Sequence, residues 1–339
     1  MMAPQWRVRP YQPGDETTLV DLWNAALPAD PLDADTLAAR VLADPNFRSS
    51  GLLVAERVHG PVPGEGPGPR PLLGFVLALS RRVPLDPGEG LEPECAWVTA
   101  FGVHPAVRRR GLGRALLGAA CDELARRGAE RVDVSPYAPG YFWPGVDREA
   151  YPEAAAFLEA LGFHPLGEAV AMERSLIGYR PPAEVPGARQ RLLGEGVRFR
   201  AFGPELVVPA VEWSRRVFHA DWARSLRSSV ASRLPWSRTR LALDATGAIL
   251  GFAQFGCYDR CADRFGPFGV DPAARGRGIG KVLLHDTLCS MQREALASAW
   301  FLWTDENSPA GHLYRKAGFR MVRRFVLLRR HLGRAASVG

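Results

Sequence analysis

The sequence predicts an α/β protein of mixed, mostly antiparallel sheets flanked by helices, built as two tandem domains of one architecture. Three observations carry this. Phe101–Leu117 and Phe268–Leu284 align without a gap, Val103 against Val270 at an offset of 167 residues, and 11 of the 17 positions are identical. A repeat of that period is domain-sized, far longer than a solenoid unit. Ala160-Leu-Gly-Phe163 and Lys316-Ala-Gly-Phe319 each end a helical stretch just ahead of a strand, at an offset of 156. Finally, 339 residues exceed one ordinary core and suit two domains of about 150 each. The expected boundaries are a first domain over 1–177, a linker over 178–196 and a second domain over 197–339.

In the first copy Trp6–Pro10 reads as a strand. Pro13-Gly-Asp15 then opens a helix with Leu19, Leu22 and Trp23 at helical spacing. A second helix is expected from Asp33 or Asp35 to Leu42, stopped by Asp44-Pro45. Gly51–Val58 and Leu72–Leu79 read as hairpin partners, joined by a Gly/Pro-rich loop over His59–Pro71 that the composition makes mobile. Cys95–Val103 is the strand that enters the first Gly/Arg turn, and Arg131–Ser135 the strand after its helix. This copy is 11 residues longer between the two landmarks. The excess falls on Pro136–Val146, an aromatic, proline-rich loop peculiar to it. Pro152–Leu161 reads as a helix, Ala169–Ser175 as a closing strand, and Gly178–Gly187 as the Pro/Gly-rich start of the linker.

The order then repeats. Val197–Ala201 is a strand, Leu206–Phe218 and Trp222–Leu234 are helices, and Arg240–Asp244 and Ile249–Phe255 flank a hairpin turn at Ala245-Thr-Gly247. Arg264–Val270 enters the second Gly/Arg turn. Ala299–Trp303, Pro309–Ala317 and Met321–Arg329 complete a strand, a helix and a last strand.

Composition narrows the function. Hydrophobic residues at 47% and charged residues at 23% describe a soluble globular protein. The net charge of +7 invites a nucleic-acid reading, yet only Lys281 and Lys316 of the 43 basic residues are lysine, and the arginines are spread along the chain. No basic stripe forms, so nucleic acid is not an expected partner. Cys95, Cys121, Cys257, Cys261 and Cys289 have neither disulfide nor zinc-ligand spacing and read as small buried thiols; no metal is expected. No leader pattern and no run of eighteen apolar residues occurs, so a cytoplasmic protein without a membrane span is expected, as monomer or homodimer.

The chemistry sits in the repeated turn. Arg275-Gly-Arg-Gly-Ile-Gly280 packs three glycines and two arginines into six residues at the start of a helix. Glycines let the backbone approach a ligand, and the first helical N–H groups have no internal partner and lie at the positive end of the helix dipole. Arginine and lysine add charge-assisted contacts, so the turn suits a pyrophosphate. A Rossmann fingerprint is excluded because Leu116 and Leu283 stand at the third glycine, and a P-loop because Val282 follows Lys281.

The strand–RxRGxG–helix turn, with Asn307-Ser-Pro-Ala-Gly-His-Leu-Tyr-Arg-Lys-Ala-Gly-Phe319 downstream, resembles the GNAT superfamily of N-acetyltransferases. Its tandem arrangement is similar to that of mycothiol synthase. The resemblance implies transfer of the acetyl group of acetyl-CoA, the donor substrate, to a primary amine of a small molecule by direct attack. It implies that Phe268, Gly269 and Val270 offer backbone groups to the pantetheine arm, as Phe101, Gly102 and Val103 do in copy one. Arg275, Gly276, Arg277, Gly278, Ile279, Gly280 and Lys281 would hold the pyrophosphate, with Arg108, Arg109, Arg110, Gly111, Leu112, Gly113 and Arg114 as their counterparts. Tyr314 matches the family's tyrosine that protonates the departing thiolate, and Asn307 its CoA-contacting asparagine. Leu158 replaces the tyrosine in copy one, which makes the C-terminal copy the expected catalytic one and the N-terminal copy degenerate. Arg264 and Trp97 stand where many relatives carry a glutamate base, leaving Asp259, Asp263, Asp305 or water for that role. Trp213, Phe218, His219, Asp221, Trp222 and Trp236 occupy the expected acceptor region, and Tyr141-Phe-Trp-Pro144 is a second aromatic candidate. The alternative reading is a non-catalytic acyl-CoA-binding or sensing protein.

Overall fold

A computed structural model describes residues 6–58, 71–258 and 261–333. From His59 to Arg70 the expected glycine/proline loop lies outside the described residues, as does Asp259. In chain order the first half contains β1 (Trp6–Pro10), α1 (Glu16–Ala26), α2 (Ala34–Leu37, continued by a π-helical turn to Leu42), β2 (Leu52–Arg57) and β3 (Leu72–Ser80). Then come β4 (Cys95–Val103), α3 (Leu112–Arg126), β5 (Arg131–Val134), β6 (Val146–Asp147), α4 (Pro152–Glu159) and β7 (His164–Ser175). The second half contains α5 (Glu184–Gly194), β8 (Arg198–Ala201), α6 (Val207–Val217), α7 (Ala220–Ala231), β9 (Thr239–Leu243), β10 (Ile249–Phe255) and β11 (Phe265–Val270). It ends with α8 (Ile279–Arg293), β12 (Ser298–Thr304), α9 (Pro309–Lys316) and β13 (Arg320–His331).

Two compact units form, and each draws a segment from the other half of the sequence. The first comprises residues 1–84, 90–168 and 325–339; the second comprises 85–89 and 169–324. In the first unit β1 to β4 pair antiparallel in order, β4 pairs parallel with β5, and β5 pairs with the end of β13 (Leu328↔Val134 to His331↔Arg131). In the second unit β8 to β11 form an antiparallel meander, and β12 pairs with the end of β7 (Ser298↔Ser175 to Thr304↔Val170). Leu85–Glu89 also joins the second unit, where the buried Asp86 accepts hydrogen bonds from Arg215 on α6 and Arg227 on α7.

The central strands are buried on both faces, which is why their sequences run apolar instead of alternating. Of β3, only Ser80 is not buried. In the first unit one core gathers Val76, Val98, Leu116 and Leu124 under α3, and a second gathers Trp23, Leu37, Phe75 and Trp97 under α1 and α2. The stretch read as a linker instead carries α5. Pro186 lies in the first turn, where an N–H has no helical partner to lose, so the proline that suggested a break is compatible with a helix. Val185 and Leu192 are buried, and Leu192 packs with Ile279, Val282 and Leu283 of α8.

Candidate functional site

The repeated turn has one geometry in both units. Gly278 at φ 92° and Gly111 at φ 86° are left-handed residues at the N-caps of α8 and α3. A side-chain cap would occupy the first-turn amides. Glycine leaves those of Ile279, Gly280 and Lys281, and of Leu112, Gly113 and Arg114, to an outside acceptor. Gly276 (φ 79°) and Arg109 (φ 63°) hold the preceding left-handed position; an arginine there is strained where glycine is not. The aligned arginines make the same bond: Arg275 Nε donates to the Val270 carbonyl at 3.2 Å, and Arg108 Nε to that of Val103 at 3.1 Å. Asp271 and His104 cap equivalent short turns by accepting from Ala273 and Ala106.

Helix α5 supplies a partner that the sequence concealed. Arg191 Nη2 donates to the Arg277 carbonyl at 2.6 Å and lies 3.4 Å from where a Cβ on Gly278 would stand. Arg277 pairs with Glu195 at 3.0 Å and Lys281 with Glu184 at 3.8 Å, both exposed enough to exchange for an anion. Only a proline-rich composition marked this segment, and that signal points to a loop.

Ahead of each turn the sheet splays. In the first unit β4 and β5 are paired from Cys95↔Arg131 to Val98↔Val134, after which β4 runs on to Val103. In the second, β11 meets β12 through a single parallel bridge, Arg264↔Trp300. Phe268, Gly269 and Val270 pair with β10 on their other side. Gly269 also has a packing role: a Cβ there would come within 2.4 Å of Phe218 and 2.6 Å of Trp222. Gly102 stands similarly against Phe75 and Ala26, at 2.7 and 2.8 Å.

Tyr314 on α9 is 7% exposed, inside a ring of aromatics: Phe301 at 4.4 Å, Phe319 at 5.6 Å, Phe268 at 5.9 Å and Phe265 at 6.0 Å between centroids. Among the described residues its hydroxyl makes no hydrogen bond, and the oxygen is not one of the fully buried atoms left without a partner. Burial alone pushes the phenol above its ordinary value, so it stays protonated. Leu158, its counterpart, is fully buried in the first core. Asn307 is exposed one residue before the Ser308 cap of α9, its amide bonded to Asp305 Oδ1 at 2.8 Å.

The other sequence-derived candidates divide. Asp305 holds that turn, and Asp263 accepts from Ser298 Oγ at 3.3 Å. Trp213, Phe218, Trp222 and Phe252 form one edge-to-face cluster, so this part of the acceptor region is core. Trp236 packs on Phe202, 40% exposed. In the first unit Phe142 and Trp143 pack on Trp23 of α1 at 5.0 and 6.0 Å, Trp143 Nε1 donates to Asp30 at 2.6 Å, and Arg40 covers Phe142 at 4.2 Å. The aromatic loop therefore fills the space between sheet and first helices, where an acceptor would have to enter.

Asp221 is different. It lies in the first turn of α7 beside Trp222, and its Oδ1 is buried with no hydrogen-bond partner among the described residues. Oδ2 accepts from Tyr258 at 3.3 Å, and burial pushes the carboxyl above its usual range. The Arg264 guanidinium, itself buried, stacks over Tyr258 at 4.8 Å and over Trp300 at 5.6 Å.

Residues 236–321 match the acetyltransferase (GNAT) domain, and residues 30–141 the acetyltransferase (GNAT) family. The mycothiol acetyltransferase of Saccharomonospora viridis is 32% identical over 296 residues, 78% of this chain and 85% of that protein. That of Salinispora arenicola is 29% identical over 326 residues, 92% and 91% of the two chains. Among solved structures, a GCN5-related N-acetyltransferase from Sphaerobacter thermophilus matches with a TM-score of 0.70 at 21% identity, over 98% of this chain and 97% of that one. A tandem GNAT protein from the clavulanic acid biosynthesis pathway matches with a TM-score of 0.62 at 19% identity, over 98% and 100%.

Proposed function

Because the chain belongs to the GNAT acetyltransferase family and is an acyltransferase moving an acetyl group to an amine, we propose that its C-terminal half acetylates a small-molecule amine, the deacetylated form of mycothiol. The relatives' name and the length of chain they share with this one support this acceptor. The assignment to the C-terminal half rests on one observation: Tyr314 holds a protonated hydroxyl, free of hydrogen bonds to the described residues, beside Phe268, where the first half has Leu158.

In this reading the residues divide the work of binding and protonation. The amides of Ile279, Gly280 and Lys281, uncapped by Gly278, accept the pyrophosphate of acetyl-CoA, with Arg275, Gly276, Arg277 and Lys281 around it. The free edge of Phe268–Val270 meets the pantetheine arm, and Asn307 lies at the mouth of the splay's far side. Acetyl-CoA supplies the activated acetyl thioester. Tyr314 donates a proton to the departing sulfur, a step a neutral phenol performs while remaining uncharged at pH 7. The first half keeps the turn but has its acceptor side filled by Phe142 and Trp143, which makes it a structural copy. Acetyl-CoA is an intracellular metabolite, so the reading carries a cytoplasmic location with it.

The test is thiol release from acetyl-CoA on addition of deacetylated mycothiol, with mass spectrometry of the product. Turnover giving one added acetyl group on the amine supports the reading. Acetylation of other amines but not of this one refutes the acceptor.

A further inference from the structure

The sheet splay fixes where the reacting atoms must sit. The pyrophosphate turn follows Val270, whereas β11 and β12 rejoin at Arg264↔Trp300. β11 spans six residues, about 20 Å at 3.3 Å per residue, comparable to an extended pantetheine arm. An arm entering at the turn therefore places its reactive end toward the Arg264–Trp300 apex. Arg264 stacks on Trp300 and Tyr258, and the Tyr258 hydroxyl donates to Asp221. This chain of contacts carries Asp221 to the apex, on the α7 side where Trp222 covers Gly269.

Asp221 has no structural account. A first-turn aspartate ordinarily serves a helix by accepting its amides, yet the side chain caps nothing and its Oδ1 is buried without a partner among the described residues. A buried carboxylate oxygen left unpaired is costly, and a catalytic role is one of the recognised reasons for keeping one. What the oxygen lacks is a donor, and an ammonium group is a donor with a positive charge. The relatives' customary base position is held here by an arginine, so the role is vacant.

We propose that Asp221 is the general base that binds the acceptor's ammonium group through Oδ1 and takes one of its protons. This inference rests on the C-terminal half being the catalytic one. The nitrogen then forms a bond to the acetyl carbonyl carbon as the carbon–sulfur bond breaks. Of the two protons the nitrogen loses, one remains on Asp221 until water removes it. The other passes through solvent to the Tyr314 phenolate and restores the proton that Tyr314 gives to sulfur. The groups facing the carboxylate are His219 at the N-cap of its helix and Arg224 on it, Tyr258 and Cys257 after β10, and Arg264 before β11. Burial outweighs the cations among them and raises the carboxyl, which strengthens it as a base.

The experiment measures kcat for deacetylated mycothiol against pH in the wild type, Asp221→Asn and Tyr258→Phe. Asp221→Asn is expected to lose about 10²–10⁴-fold near pH 7. The loss should shrink with each unit of pH toward the amine's own pKa, because solution then supplies the free amine. A deficit constant across pH, or a kcat within twofold of wild type, overturns the proposal. Tyr258→Phe keeps the carboxylate but removes the hydrogen bond to its charged form, so the acidic limb of kcat/KM should move up in pH; an unmoved limb also overturns it. A carboxyl titration by NMR of [γ-¹³C]aspartate-labelled wild type and Tyr258→Phe needs no acceptor. One carboxyl titrating above the ordinary range, and higher still in Tyr258→Phe, supports the assignment; no such carboxyl refutes it. If the wild type leaves deacetylated mycothiol untouched, the acceptor reading fails and the NMR titration still decides Asp221.

Discussion

Replacing Tyr314 by phenylalanine separates a packing role from a catalytic one, because the structure gives opposite signs for stability and rate. The ring lies among four phenylalanines and its hydroxyl makes no hydrogen bond to a described residue. A hydroxyl that makes no hydrogen bond within the protein adds none to its stability, so Tyr314→Phe should leave the protein as stable as before or raise its denaturation midpoint. The same change removes the proton donor for the departing thiolate. General acid catalysis is worth about 10²–10⁴ in rate, or about 2.7–5.4 kcal/mol at 1.36 kcal/mol per decade. Denaturant unfolding followed by fluorescence reads the first effect, and steady-state kinetics with acetyl-CoA and the acceptor read the second. The expected result is an unchanged or higher midpoint with kcat down at least a hundredfold and KM for acetyl-CoA little changed. A kcat within twofold of wild type refutes the acid role, and a loss of stability above about 2 kcal/mol would show that the hydroxyl has a partner after all.

Two further outcomes are expected. Gly278→Glu places a charged side chain on a left-handed residue at the α8 cap and should abolish acetyl-CoA binding and turnover, whereas Gly111→Glu, on the equally left-handed α3 cap, should leave turnover intact because that half is the structural copy; calorimetry with acetyl-CoA checks both, and turnover that dies only with Gly111→Glu reverses the assignment of halves. His285, buried against Tyr179, has its pKa lowered to about 4, mainly by burial. The unfolded chain then binds more protons than the folded one between about pH 6.5 and 4, so stability should be full above that window and fall as pH drops through it, by up to about 3 kcal/mol. Melting temperature against pH for wild type and His285→Gln tests this; equal acid sensitivity in both rejects His285 as the cause.

The parts of the fold that are legible in sequence are the local ones. The two turns were readable because Gly278 and Gly111 are needed for the left-handed caps, and the strands entering them because Phe268–Val270 repeats Phe101–Val103. Helix α5 was hidden because Pro186 and Gly187 read as linker residues, although a proline in the first turn forfeits no hydrogen bond. The aromatics of 141–143 were equally suited to a ligand and to a core, and only their contacts with Trp23 decide. Asp221 fell within the expected acceptor region, but nothing in the sequence marked its carboxyl as buried. Its isolation comes from burial under residues about forty positions away, which no local pattern encodes.

The exchange of terminal strands limits how this gene can be cut. A fragment of residues 197–339 would carry Ser298–Thr304 without Val170–Ser175, and a fragment of residues 1–177 would carry Arg131–Val134 without Leu328–His331. Each would expose a bare sheet edge and a slice of core, the ordinary route to aggregation. The two products would instead complement one another when made together, each donating the strand the other lacks. A duplicated domain that has traded strands in this way can lose its chemistry in one copy, but the inert copy cannot then be deleted. A copy that fell silent would persist as an obligatory subunit that happens to be covalently attached.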